Sequence, residues 1–247
     1  MKISFVIPTY NEHGNISRLI EEINKVSKEN NYNYEIIVVD DNSIDGTIHD
    51  IHILQNSQKN IHLIVREKLM GIGTAHIEGY NYAKGDLIIS MDADLSHPTE
   101  KIPEFVLRIK NGKDMVMSSR YIPGGESDTR FSYYILSKLG GYYLSAMLKI
   151  NIKDFSTGYR AIKKQLWEKI KDYKYSKKNL FLIESVYYAY KHGAKLSEVP
   201  IYFKDREIGN SKTSMFREAI KALFLPLNLR ILWKRRYLLN SNMRRFF

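Results

Sequence analysis

Asp92-Ala93-Asp94 closes an apolar run, LIISMDAD, and sets two carboxylates one residue apart where a buried strand should end. Two hard oxygen donors on an irregular turn can hold Mg²⁺ or Mn²⁺ and leave octahedral positions for diphosphate oxygens. A cation there would neutralise charge developing on a departing nucleoside diphosphate. In isolation the same residues would serve equally well as turn or cap carboxylates before a helix at Pro98. A second acidic pair, Asp40-Asp41, also follows an apolar run, so carboxylates gather on one edge. In an apolar crevice such groups repel and raise one another's pKa, so a cation or a ligand donor is expected among them. They could accept hydrogen bonds from ribose hydroxyls or base N–H groups. Alone, the DDNSIDGT string is also an Asx-turn leading into a helix capped by Ser43 or Asp45.

These groups need a scaffold, and the hydrophobic pattern supplies one. Short β-branched runs at 3–7, 35–39, 61–65, 87–91 and 115–117 read as buried strands. Stretches 14–28, 45–55, 73–83 and 98–110 have helical spacing or start signals, with Pro98 placed just inside the last. Strand and helix in alternation predict a mostly parallel sheet covered on both faces, with ligands at the carboxyl ends of its strands. Each of the first four strands is followed by a polar, turn-rich segment: PTYNE, DDNSIDGT, REKLMGIGT and DADLSHP. Further helices are expected at 132–148 and 179–192, and short strands at 158–162, 194–199 and 201–203.

The chain has 247 residues, 44% of them hydrophobic, no cysteine and a formal net charge of +11. That length suits one α/β domain, expected at 1–213, with a C-terminal extension at 214–247. The lack of cysteine excludes disulfides, metal–thiolate sites and a cysteine nucleophile, and is compatible with a reducing compartment. The apolar run before Pro8 is too short for a signal peptide, so the mature chain is expected to begin at Met1. No window is long enough to span a bilayer; the nearest, ALFLPLNLRILW, is interrupted by Pro226, Asn228 and Arg230. Its apolar bulk, the following Lys234-Arg235-Arg236 cluster and Trp233 predict an amphipathic helical segment lying in the headgroup region of a membrane, or packed on the catalytic core.

Eight strings carry a resemblance. VIPTYNE, VVDDNSIDGT, GIGTA, MDADLSHP, SSRYIPGG, DFSTGYRA, FLIE and VPIYFKDREIGNSK, in that order over about residues 3 to 212, resemble the inverting family 2 glycosyltransferases of GT-A fold. Within that family they look like the dolichyl- and polyprenyl-phosphate mannosyl- and glucosyltransferases. The resemblance implies a Rossmann-like, mostly parallel sheet flanked by helices. It assigns Pro8, Tyr10 and Glu12 to the nucleobase pocket, and Val39 and Asp41 to the base and ribose. It assigns Asp92 and Ala93 to the nucleotide and Asp94 to the metal, with Asp92 and Ser96 as further ligands; Ser96 stands where many relatives carry glutamine. Arg120, Arg206 and Lys212 match basic positions that meet donor diphosphate or acceptor phosphate. An arginine common in relatives is missing near Tyr133, and Arg130 is the candidate substitute.

The implied reaction is hexosyl transfer with inversion, mannose from GDP-mannose or glucose from UDP-glucose, to a polyprenyl phosphate, with Mg²⁺ or Mn²⁺. A phosphomonoester has its second pKa near about 6 and needs positioning rather than deprotonation. Were the acceptor a sugar hydroxyl, Asp154 and Glu184 would be the candidate bases; the first is also counted among the catalytic residues. Implied partners are the nucleotide sugar, the lipid phosphate, the cytoplasmic face of a membrane and possible help from a membrane-anchoring protein. A sugar nucleotidyltransferase would want a glycine-rich basic loop where PTYNE stands. GIGTA lacks the third glycine of a dinucleotide fingerprint, since His76 falls there. Nucleic-acid binding would explain the charge but not the acidic crevice, and no nucleic-acid partner is expected.

Overall fold

The computed structural model describes residues 1–204 and 215–243. In chain order the elements are β1 (Lys2–Thr9), α1 (Asn15–Glu29), β2 (Asn33–Asp40), α2 (Thr47–Ser57), β3 (Ile61–Val65), α3 (Ile72–Tyr82), β4 (Leu87–Ser90), a 3₁₀ turn (Thr99–Lys101) and α4 (Ile102–Lys110). Then come β5 (Met115–Ser119), β6 (Glu126–Ser127), α5 (Phe131–Leu148), β7 (Arg160–Lys163), α6 (Lys164–Ile170), α7 (Leu180–Lys191), β8 (Leu196–Pro200), β9 (Tyr202–Phe203) and α8 (Met215–Met243).

Seven strands form one sheet in the order β3-β2-β1-β4-β7-β5-β8, mostly parallel as expected, with β7 antiparallel to both neighbours. β6 and β9 form a separate two-stranded parallel ribbon. Strands β1, β2 and β4 are buried almost throughout because helices cover both faces, the pattern a parallel sheet requires. One core lies beneath α1 and α4, around Ile16, Leu19, Phe105 and Phe5; the other, around Tyr80, Trp167 and Phe181, lies beneath α3, α6 and α7. Gly79 lets α3 approach closely, since a Cβ there would lie 2.3 Å from Val6 Cγ1 and 3.2 Å from Val39 Cγ2.

Pro98 does not open a helix. It precedes the 3₁₀ turn, and Pro103 occupies the first turn of α4, where a missing N–H costs nothing. α6 and β6 are elements that the hydrophobic pattern did not announce. The C-terminal segment is helical. Leu225 and Leu229 are buried against the body, Tyr143 Oη donates to the Leu223 carbonyl at 2.7 Å, and Arg230 donates to the Met147 carbonyl. Trp233 is half-buried and stacks on Tyr173 at 6.0 Å, so it packs on the protein instead of standing out as an interfacial anchor. The opposite face presents Leu223, Phe224, Leu227, Ile231 and Leu232 to solvent. No helix among the described residues is long and apolar enough to cross a membrane. The expected boundary at 213/214 lies outside the described residues.

Candidate active site

Parallel pairing sets the carboxyl ends of β1 and β2 level, Thr9 opposite Asp40, while β4 ends at Ser90 opposite Val6, on the same side of the sheet. The loops that follow each contain one non-glycine residue with positive φ: Asn11 at 54°, Asn42 at 63° and Leu95 at 61°. Asparagine tolerates that conformation, whereas leucine in it is strained, and such strain collects at functional turns. The first two loops are interlocked. Asn11 N donates to Ser43 Oγ at 2.8 Å, Glu12 N to Thr47 Oγ1 at 2.8 Å, His13 N to Asp45 Oδ2 at 3.1 Å, and Ile44 N to Asn11 Oδ1 at 3.1 Å. Pro8 and Val39 are buried side by side in register at the floor; Tyr10 and Glu12 are half-buried on the loop above, with Glu12 accepting from Asn15 Nδ2 at 3.0 Å.

Asp40 and Asp41 have separate tasks. Asp40 is fully buried and accepts from Ser43 N at 2.7 Å and Ser43 Oγ at 2.6 Å, which is the Asx-turn. Burial raises its pKa despite those bonds. Asp41 forms a buried ion pair with Arg66 and accepts from Met70 N at 3.2 Å and Gly71 N at 3.4 Å. The cation expected among these carboxylates is thus, at Asp41, a guanidinium. Sequence reasoning missed Arg66, although it opens the REKLMGIGT segment; its Nη1 also donates to Thr74 Oγ1 at 2.6 Å.

At the end of β4, Ala93 and Asp94 are buried and Asp92 is half-buried. Ser96 donates through N at 3.2 Å and Oγ at 2.6 Å to Asp94 Oδ1, so its hydroxyl orients the carboxylate. His97 accepts from Asp92 N at its Nδ1, 3.1 Å away, which leaves the proton on Nε2, 3.8 Å from Asp92 Oδ2. The imidazole is buried and stacked on Tyr159 at 5.2 Å. Gly158 lies against the acidic turn, since a Cβ there would be 2.5 Å from Asp92 Oδ1. Among the described residues no cluster of three or more His, Cys, Asp or Glu could enclose a metal. Two carboxylates and a hydroxyl are nevertheless a hard-oxygen set suited to Mg²⁺ or Mn²⁺ that shares its remaining positions with a diphosphate.

On the other side of Gly158 stands the cationic group. Arg120 follows β5; its Nε and Nη2 grip Asp154 Oδ2 and Oδ1 at 2.8 and 3.1 Å, and Nη2 also donates to Ser156 Oγ at 2.8 Å. The guanidinium lies over Tyr121 and Phe203, 4.8 and 5.4 Å from their centroids. Burial alone would raise the pKa of Asp154, but the charge and hydrogen bonds of Arg120 outweigh it and hold the carboxyl below its usual range. Beneath it Glu198 accepts from Lys153 N and Asp154 N, at 3.0 and 2.9 Å, and fixes the start of the loop. As placed, Asp154 is an anchor for Arg120, with both oxygens engaged. Glu184 is also occupied, accepting from Ser176 N at 2.7 Å and Ser176 Oγ at 2.6 Å in the loop before α7. Arg206 and Lys212 lie outside the described residues. Arg130 is the exposed cap residue of α5, and Tyr133 projects from its first turn.

The GIGTA glycines receive backbone. A Cβ on Gly71 would meet the Lys177 carbonyl at 2.5 Å, and one on Gly73 would meet those of Ser176 and Lys178 at 2.6 and 2.7 Å. The segment Glu184 holds is therefore seated on the start of α3.

Residues 4–171 match the model of Glycosyl transferase family 2. The dolichol-phosphate mannosyltransferase of Pyrococcus furiosus is 38% identical over 217 residues, covering 86% of this chain and 59% of its own length; this chain thus spans under two thirds of that relative. The polyprenol monophosphomannose synthase of Mycolicibacterium smegmatis is 33% identical, with 85% of this chain and 80% of that one covered. The undecaprenyl-phosphate mannosyltransferase of Micrococcus luteus is 32% identical, with 87% and 88% covered. Among solved structures, glucosyl-3-phosphoglycerate synthase from Mycobacterium tuberculosis, crystallised with Mn²⁺, UDP and phosphoglyceric acid, superposes with a TM-score of 0.69 at 18% identity, covering 91% of this chain and 78% of that one, a likeness of fold.

Proposed function

The chain belongs to Glycosyl transferase family 2, and from that premise we propose that it transfers mannose from GDP-mannose to the phosphate of a polyprenyl phosphate, with inversion. The three mannosyltransferase relatives support the sugar and the lipid phosphate. The observation that carries the proposal is the Asp154–Arg120 pair. A sugar hydroxyl would need a base, yet the carboxylate best placed for that work is committed to a guanidinium, and what the site offers is a fixed cation. A dianionic phosphate needs a cation to bring it beside the donor diphosphate, and the guanidinium that Asp154 fixes in place supplies that charge.

Asp92 and Asp94, oriented by Ser96, would hold Mg²⁺ or Mn²⁺ with the donor diphosphate; when bound, the cation neutralises the charge of the leaving nucleoside diphosphate. The interlocked loops bearing Tyr10 and Glu12, with the buried Asp41, form the base and ribose pocket. Arg120 positions the attacking phosphate, and Arg206 and Lys212, which lie outside the described residues, are the further cations proposed for it. UDP-glucose is the alternative donor, and a family 2 transferase acting on a polysaccharide hydroxyl the alternative acceptor chemistry.

The catalytic unit is 1–213, with 214–247 as a basic extension that meets the cytoplasmic face of a membrane peripherally. The apolar face of α8, and exposed Phe131, Leu136 and Leu139 on α5, support that contact. The test is transfer of radiolabelled sugar from GDP-mannose and from UDP-glucose to polyprenyl phosphate in detergent, with Mg²⁺, with Mn²⁺ and with chelator. Metal-dependent labelling of the lipid from GDP-mannose is expected; donor hydrolysis without lipid product would reject the lipid phosphate. Binding to protein-free anionic vesicles would show that no anchoring partner is required.

A further inference from the structure

Loop 154–158 touches both halves of the site, the cationic half through Asp154 and Ser156 and the acidic half through Gly158. What holds the loop is Arg160, the first residue of β7 and fully buried. Its Nε donates to the Thr157 carbonyl at 3.1 Å, and Nη1 donates to the Leu182 carbonyl and Ser185 Oγ, each at 2.9 Å. Nη2 donates to the Phe155 carbonyl at 3.5 Å and to the Thr157 carbonyl. Two bonds thus reach α7 and three reach the loop. Among the described residues no carboxylate pairs with this guanidinium; Tyr80, Asp154 and Asp92 act on it only through space.

A buried guanidinium without a carboxylate partner is a costly residue, and it persists where a forked set of donors does what no apolar side chain can. Lysine could not replace it, because a single ammonium cannot span carbonyls on two elements in a fixed fork. Ser118, bonded to Thr157 Oγ1 at 2.5 Å, ties the same loop to β5, the strand that leads into Arg120.

We propose that Arg160 is a positioning residue: it clamps loop 154–158 against α7 so that Gly158 seats the Asp92 carboxylate while Asp154 aims Arg120. The clamp thereby fixes the separation between the donor and acceptor halves of the site. The inference rests on the function proposed above in naming those halves as donor and acceptor and in taking GDP as the binding probe.

Arg160→Lys, Ser185→Ala and Gly158→Ala test it in the intact chain. The readouts are a thermal melt, hydrogen exchange of the Arg120 Nε–H by nitrogen-15 NMR, GDP binding with Mg²⁺ by calorimetry, and transfer activity. Arg160→Lys is expected to melt cooperatively, to exchange the Arg120 Nε–H at least tenfold faster and to bind GDP at least tenfold more weakly. Ser185→Ala, which removes one bond at the α7 end, is expected to speed that exchange about threefold. Gly158→Ala puts a Cβ into the Asp92 carboxylate and is expected to weaken GDP binding while leaving the Arg120 exchange unchanged. An unchanged Arg120 exchange in folded Arg160→Lys overturns the proposal. So does an unfolded Arg160→Lys accompanied by an unchanged Ser185→Ala. Faster exchange with undiminished transfer would leave the clamp standing and instead refute the role given to Arg120 in transfer.

Discussion

Replacing Asp154 by asparagine separates an anchoring carboxylate from a catalytic base. The pair is buried, with side chains 1% exposed for Asp154 and 14% for Arg120, and joined by two hydrogen bonds. Removing one partner of a buried ion pair leaves the other charge uncompensated, at about 3–5 kcal/mol. Arg120 keeps Ser156 Oγ and the faces of Tyr121 and Phe203, which lowers the expected loss to about 2–3 kcal/mol. For a chain of this size that is a fall in Tm of about 5–10 °C. Since the Asp154 pKa is held below its ordinary value, its contribution is present at neutral pH and is lost as pH falls through the folded-state pKa. The gap between wild type and variant should therefore be constant from about pH 8 to 5 and close only below about pH 4. A guanidinium misplaced by about 1 Å should cost about 100-fold in kcat, with donor affinity kept. The decisive comparison is the double variant Asp154→Asn/Arg120→Met. An anchor acts through the arginine, so the double variant should be no slower than Arg120→Met alone. Additive losses in kcat, or an unchanged melt with unchanged turnover, would refute the anchor.

Three other outcomes follow from the same geometry. Ser96→Ala removes the hydroxyl that orients Asp94 and should weaken Mn²⁺ dependence of transfer about tenfold without altering donor specificity; an unchanged metal titration would count against it. Burial, with Arg160 nearby, lowers the His76 pKa to about 3, and among the described residues both ring nitrogens lack a hydrogen-bond partner. Because the unfolded chain takes up that proton below its ordinary pKa near 6.5, the stability of wild type should fall by about 2 kcal/mol from pH 7 to 5 through this residue. Chemical denaturation of His76→Phe at the two pH values should show that part of the loss missing, and an identical pH slope in both proteins would contradict it. Substituting Lys234, Arg235 and Arg236 by alanine should lower partitioning onto phosphatidylserine vesicles by about two orders of magnitude, at about 1 kcal/mol per charge; sedimentation with vesicles measures it.

Much of the scaffold was legible because it is locally encoded. β3 occupies 61–65 as its apolar run indicates, and α5 and α7 fall within a residue of their expected limits. The loops after β1, β2 and β4 carry the polar segments that the strand-end rule requires. What local pattern does not encode is order across the sheet. β7 enters antiparallel between β4 and β5, and that placement carries 154–158 to the acidic turn. Asp154 reads from sequence as a candidate base because its partner lies 34 residues away. Arg66 escaped notice for a similar reason: the partner of Asp41 sits on a different loop, and nothing in either string announces the pair. Trp233 shows the limit of composition, since an aromatic in a basic, apolar segment reads as a membrane anchor until Tyr173 and Tyr187 are seen against it.

The central claim is that the nucleophile is a phosphate that Arg120 positions, and competition between acceptors tests it most directly. Purified protein given radiolabelled GDP-mannose, Mg²⁺ and equal amounts of polyprenyl phosphate and the matching unphosphorylated polyprenol should label only the phosphate. The product should carry an acid-labile mannosyl–phosphate bond of inverted anomeric configuration. Mannose found on the free alcohol, or a retained anomeric configuration, would contradict the account.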